Sequence, residues 1–181
     1  MTVRIRTPLL DVVAEVLVTD PSASLAEVAE AAGIGRTTLH KQYATRDDLI
    51  RAVGFRALDL WERALGGVSD NHPDGALRAV VAAMIPIGPQ LAFLWRTPAF
   101  DHDTQIKERW HSLETRLLAV LTHAQREGII AADAADWWML QTFFALIYVG
   151  AESVGRGDLA PRDAPDRVMR MFLHGIGGGH R

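Results

Sequence analysis

Residues 33–43, GIGRTTLHKQY, combine residue types that meet phosphates in two unrelated ways. A Gly-x-Gly pair followed by hydroxyl side chains, here Gly33, Gly35, Thr37 and Thr38, suits a loop that brings backbone N–H groups up against a nucleotide. If Gly33 instead ends one helix and Gly35 begins the next, then Arg36, Thr37, Thr38, His40, Lys41 and Gln42 face outward from a short helix. Cationic, hydroxyl and amide side chains on such a helix suit the phosphates and base edges of DNA. The neighbours separate the two. A dinucleotide loop needs a preceding strand and a third glycine where this chain has Thr38, and a Walker loop needs Gly-Lys-Ser/Thr. Residues 25–32 carry a helical pattern instead, so context rejects the nucleotide loop.

Other chemistry-bearing residues are scattered. The histidines at 40, 72, 102, 111, 123, 174 and 180 show no H-E-x-x-H or comparable ligand spacing. His111 and His123 would point about 120° apart on one helix. Asp101-His102-Asp103 reads as a solvated helix start, and no Gly-x-Ser-x-Gly elbow is present. The expectation is a protein that is not an enzyme and needs no metal or cofactor.

The elements that position these residues are helical throughout, and no segment alternates as a strand does. Thr7 is the expected N-cap of a first helix, with Pro8 at its first position, ending at Asp20-Pro21. Ser24 and Glu27 form a capping box for a second helix that stops at Gly33, where Ile34 can make the contact that follows a left-handed glycine. A third helix spans Arg36 to Gln42. Thr45 with Asp48 opens a long fourth one to Gly66-Gly67. Residues 69–75 read as a loop, 77–85 as a helix that Pro86 and Pro89 kink or end, and 91–95 as a further turn or two. A long amphipathic helix at about 103–127 carries the stripe Ile106, Trp110, Leu113, Leu117, Leu121 and Ala124. Asp133 and Asp136 open a helix apolar on all sides, and a last helix covers about 163–176 before a GGGHR tail.

Composition agrees with a cytoplasmic globular protein. The 181 residues are 49% hydrophobic, contain no cysteine and carry a net charge of −3, so only a local basic patch could serve nucleic acid. The N-terminus shows no secretory signal, and the apolar run from Trp137 to Gly150, interrupted by Gln141 and Thr142, is short for a membrane span.

Two short helices joined by a glycine turn make a helix-turn-helix, with Val28, Ala29, Ile34 and Leu39 as its small core. From Ala31 to Arg46 the formal charges are Arg36, Lys41 and Arg46, all positive. Spacing alone fits both a DNA-reading module and a plain helical corner with solvated cations. The run SLAEVAEAAGIGRTTLHKQYATRDDLIRAV resembles the DNA-binding domain of the TetR family of bacterial regulators. The matching positions include Ser24, Val28-Ala29, Ala32-Gly33-Ile34, Thr38-Leu39, Tyr43, Arg46 and Leu49. The resemblance implies an all-α fold of about nine helices. A helix-turn-helix domain (1–48) would be joined by a long helix to a ligand-binding and dimerisation domain (49–181). It also implies a dimeric, ligand-responsive regulator of a roughly palindromic operator, more readily a repressor. A helical carrier or enzyme that does not bind DNA is the competing class.

Arg36, Thr37 and Gln42 are the candidates for base edges, and Thr38, His40, Lys41 and Arg46 for phosphates. Arg4 and Arg6 read as a solvated end rather than a minor-groove arm. Two positions depart from the family pattern: Gly35 stands where a serine-like residue is usual, and His40 where a tyrosine usually bonds phosphate. An imidazole there would make operator affinity rise as pH falls through its titration range.

In the second half, Trp95, Trp110, Gln141, Phe144 and Tyr148 are the candidates for lining a cavity for a small apolar or aromatic effector. Each also suits plain core packing. The surplus of apolar surface on the last two helices points to a homodimer packed as a four-helix bundle.

Overall fold

The computed structural model describes residues 8–67 and 72–176. The expected cap Thr7, the arginines at 4 and 6 and the GGGHR tail lie outside them. The described residues form nine α-helices and two short 3-10 turns.

Helix α1 (Leu9–Thr19) starts one residue later than expected. Pro8 has extended backbone and is the N-cap itself, its carbonyl accepting from the Asp11 and Val12 amides. Helix α2 (Leu25–Ala31) has both halves of its capping box: Ser24 Oγ accepts from the Glu27 amide, and the Glu27 carboxylate accepts from the Ser24 amide. Those bonds, the backbone one foremost, hold the Glu27 carboxyl below its ordinary value. Helix α3 (Arg36–Gln42) follows, then α4 (Arg46–Gly66), which begins on a second capping box between Thr45 and Asp48. At 21 residues α4 is about 30 Å long.

Residues 69–75 are not wholly a loop. Helix α5 (Pro73–Met84) starts inside that segment because Pro73, lacking an N–H, suits the first turn, and Asp74 favours a helix N-terminus. A 3-10 turn at Ile85–Ile87 carries Pro86, and the chain re-enters a full helix α6 (Gly88–Arg96) with Pro89 in its first turn. The run Pro73–Arg96 is apolar and long enough to cross a membrane by composition. Its most apolar window is 61% buried inside the protein, as a core helix would be.

A 3-10 turn at Pro98–His102 leads to α7 (Thr104–Arg126), where Asp103 is the N-cap. Helix α8 (Asp136–Gly155) begins at Asp136 with Ala135 as N-cap, so Asp133 lies outside it; α9 (Ala164–Ile176) closes the described chain.

One contiguous apolar core runs from Val13 to Phe172. Helix α1 packs on α6 as well as on α2 and α4, so the N-terminal helices share this core rather than owning a separate one. Helix α4 touches α1, α5, α6 and α7. Ion pairs tie it to α7: Arg109 reaches Asp59 and Glu62 at 2.8 Å, and Arg51 donates to Asp103 at 2.6 Å.

Two changes test this packing. Gly88 abuts Ala151 so closely that an added Cβ would lie 2.1 Å from the alanine Cβ. Gly88→Ala should therefore lower stability by about 1–3 kcal/mol despite the up to ~1 kcal/mol of helix propensity that alanine brings. A raised urea midpoint would show that the helices have room to part. Asp103 caps α7 through its Oδ1 and accepts from Arg51 through Oδ2. The Arg51 bond and then the Ile106 amide hold its carboxyl below the ordinary carboxylate range. A folded value below the unfolded one, about 3.9, gives stability that is present above that pH and lost as pH falls through the folded value. Asp103→Asn keeps a cap but no charge, so its acid-unfolding curve should be shallower than the wild type's below about pH 4.

Candidate nucleic-acid interface and ligand cleft

The turn between α2 and α3 is set by two glycines of different kinds. Gly33 has φ +65°, the left-handed region, and donates to the Glu30 carbonyl while Ile34 donates to the Ala29 carbonyl. That pair of bonds is a Schellman ending. Gly35 is extended, with φ −70°, and starts α3 without a side-chain cap. Leu39 is the buried residue of α3 and anchors it. Arg36, Thr37, Thr38, His40, Lys41 and Gln42 are all exposed, so α3 presents six polar side chains and no acid.

Arg46 is not displayed with them. Its guanidinium turns back to donate to the Pro21 carbonyl at 2.8 Å and to the Ala23 carbonyl. It therefore joins the start of α4 to the loop that launches α2. This fold-back was not visible in the sequence, because it depends on α1 and α4 packing side by side.

The five residues picked from the second half line one cleft. Trp95 of α6, Trp110 of α7, and Gln141, Phe144 and Tyr148 of α8 surround a space of about 270 Å³. Phe144 stands edge-on to Trp95 at 4.9 Å, and Trp95 edge-on to Trp110 at 6.4 Å. Behind them Trp61 of α4 has no exposed surface and meets Trp110 at 5.6 Å and Phe144 at 5.4 Å. Among the described residues its indole Nε1–H has no acceptor, and Gln90 Oε1 of α6 is likewise buried without a donor.

Arg96 and Glu114 also line the cleft, and the sequence reading missed both. Glu114 was within reach, since it lies four residues after Trp110 on the same face of an amphipathic helix. Arg96 was not. Its position comes from the bend at Ile85–Ile87 that aims the end of α6 at α8. Arg96 also lines a separate cleft of about 240 Å³ against Pro21, Arg46 and Ile50. It thus faces the aromatic cleft on one side and the N-terminal helices on the other.

Comparison with known proteins agrees with this architecture. No family model matches the chain. It is 30% identical over 175 residues to the HTH-type transcriptional repressor LfrR of Mycolicibacterium smegmatis, covering 96% of this chain and 90% of that one. The chain belongs to the TetR family. The crystal structure of the TetR-like regulator LfrR in complex with proflavine superposes with a TM-score of 0.76 at 29% identity, covering 93% of each chain. A second curated relative, the HTH-type transcriptional regulator NfxB of Pseudomonas aeruginosa, is 27% identical over 172 residues, which is 92% of this chain and 91% of that one. As a TetR-family transcriptional regulator, the chain carries α2–α3 as its helix-turn-helix.

The fold-back of Arg46 separates it from the α3 residues in an experiment. Arg46→Ala should lower folding stability by about 1–2 kcal/mol through two lost charged hydrogen bonds, discounted for partial exposure. Lys41→Ala, at an exposed site, should stay within about 0.5 kcal/mol of wild type. Chemical denaturation of the two variants distinguishes these roles.

Proposed function

We propose that this TetR-family regulator is a cytoplasmic repressor that binds a roughly palindromic operator as a homodimer and releases it when a small aromatic effector enters the α6–α7–α8 cleft. Residues 1–48 are the DNA-reading part and 49–181 the sensing and dimerising part. The observation that carries the DNA reading is the face of α3: six exposed polar side chains, including Arg36 and Lys41, on a seven-residue helix held by buried Leu39. A helix about 10 Å long fits a major groove about 12 Å wide. Arg36, Thr37 and Gln42 are assigned to base edges, and Thr38, His40 and Lys41 to phosphates. Arg46 keeps its phosphate assignment and also positions α2 through the Pro21 and Ala23 carbonyls.

Dimerisation is supported by what α8 and α9 leave uncovered. Trp137, Trp138, Val149 and Met171, the large apolar side chains exposed among the described residues, all lie on these two helices. Trp138, Ala145 and Val149 share one face by helical spacing. A second copy packed there as a four-helix bundle would cover them and set two α3 helices about one DNA turn apart or more. The effector reading rests on the five aromatic and amide side chains that converge on one cleft, and on the relative whose structure holds proflavine. A ligand acts only through its different affinity for the DNA-bound and released states.

The test is a gel-shift titration against the DNA upstream of the protein's own gene at several salt concentrations. Wild type should retard it. Lys41→Ala should weaken binding on all sequences and reduce the salt slope by about one ion. Arg36→Ala should cost about 1–3 kcal/mol and relax preference at one base pair. No retardation even at low salt would favour a helical carrier that does not bind DNA.

A further inference from the structure

The aromatic cleft already holds a cation. The Arg96 guanidinium lies 4.6 Å from the Tyr148 ring centroid and donates to the Tyr148 hydroxyl at 2.6 Å. Aromatic faces attract cations through the ring quadrupole, and the remaining large walls, Trp95, Trp110 and Phe144, are aromatic too. Arg96 is thus an internal stand-in for a positively charged occupant.

A carboxylate completes the site. Glu114 is half-buried and, among the described residues that line the cleft, is its one acid. It also lines an adjoining cleft of about 360 Å³, with Trp95 and Trp110 standing in both. Among the described residues Glu114 has no hydrogen-bond or ion-pair partner, although ion pairs join neighbouring parts of α4 and α7. The adjoining cleft adds Asp101, His111 and Lys107. Lys107 is two helical turns from Glu114, about 10 Å along the axis, and does not neutralise it at contact range. A partly desolvated, unpaired carboxylate beside two tryptophans favours a positive ligand and disfavours an anionic one.

We propose that the cleft selects a flat organic cation, stacked against Trp95 and Trp110 with its charge on Glu114, and that Arg96 is the resident cation this ligand displaces from Tyr148. The proposal rests on the reading of this cleft as the effector site and names the class of effector. Because Arg96 also lines the cleft against Pro21 and Arg46, its displacement is the point at which an arriving ligand reaches the helix-turn-helix half.

Calorimetric titration of the full-length protein with N-methylacridinium and with neutral acridine, at slightly alkaline pH, isolates the charge on one ring system. Wild type should bind the charged ring about tenfold more tightly, on the order of 1.4 kcal/mol. Glu114→Gln should erase that preference while still binding both rings, and Arg96→Gln should bind the charged ring more tightly than wild type. Unchanged near-ultraviolet circular dichroism checks that each variant is folded. Equal affinity for the two rings in wild type, or a preference that survives Glu114→Gln, overturns the assignment of charge selection and leaves the effector cleft standing. Weaker binding of the charged ring by Arg96→Gln overturns the role given to Arg96. Binding of neither ring by a protein that still retards its operator overturns the effector cleft itself and the proposal with it.

Discussion

Helix α4 belongs to both halves of the molecule, and its two anchorages shape everything built on it. Near its middle, Arg56 forks onto both carboxylate oxygens of Asp11 in α1 at 2.9 Å, a planar two-bond contact that fixes direction as well as distance. A turn and a half later, Trp61 is fully buried between Trp110 and Phe144. The first contact holds α4 to the DNA-reading helices and the second to the wall of the cleft. Because interiors are close-packed, a ring forced to shift at Trp110 or Phe144 finds no slack behind it. Behind the rings, the Trp61 Nε1–H and the Gln90 Oε1 are buried with no hydrogen-bond partner among the described residues.

Charge is distributed to the same end. The chain is acidic overall, at −3, yet α3 carries no acid and both of its formal charges are positive. Three of the four acids of α4 are engaged, Asp48 in the capping box and Asp59 and Glu62 with the arginines of α7, while Asp47 stays exposed. Exposed pairs of this kind contribute little stability each. Their more useful effect is to pair negative charge away from the DNA-facing helix, so that a phosphate backbone meets a locally basic surface on an acidic protein.

The helix-turn-helix was legible because its signals are local. Ser24 with Glu27, Gly33, and Thr45 with Asp48 each act within three or four residues, and the structure shows all of them in use. Segments without such signals were read less well. The start of α5 at Pro73 is hidden in the sequence because a His-Pro-Asp-Gly string looks like a turn, although Pro and Asp also suit a first helical turn. Residues 85–96 were broken at two prolines, yet Pro89 is tolerated in the first turn of α6, where its missing N–H has no helical partner to lose.

Sequence alone determined the helical class, the glycine turn, the outward set Arg36 to Gln42, and five of the side chains around the cleft. Periodicity and capping report which face of a helix is apolar, and that is enough to nominate Trp95, Trp110, Gln141, Phe144 and Tyr148 separately. That they meet in one space was decided by the tertiary structure, which brings α6, α7 and α8 together from positions far apart in the chain. The same holds for Arg46 and Arg96. Long, flexible guanidinium side chains take whichever acceptors the packed helices leave within reach. For Arg46 these are two loop carbonyls, and for Arg96 the ring and hydroxyl of Tyr148. No spacing rule encodes either partner, because each lies more than twenty residues away.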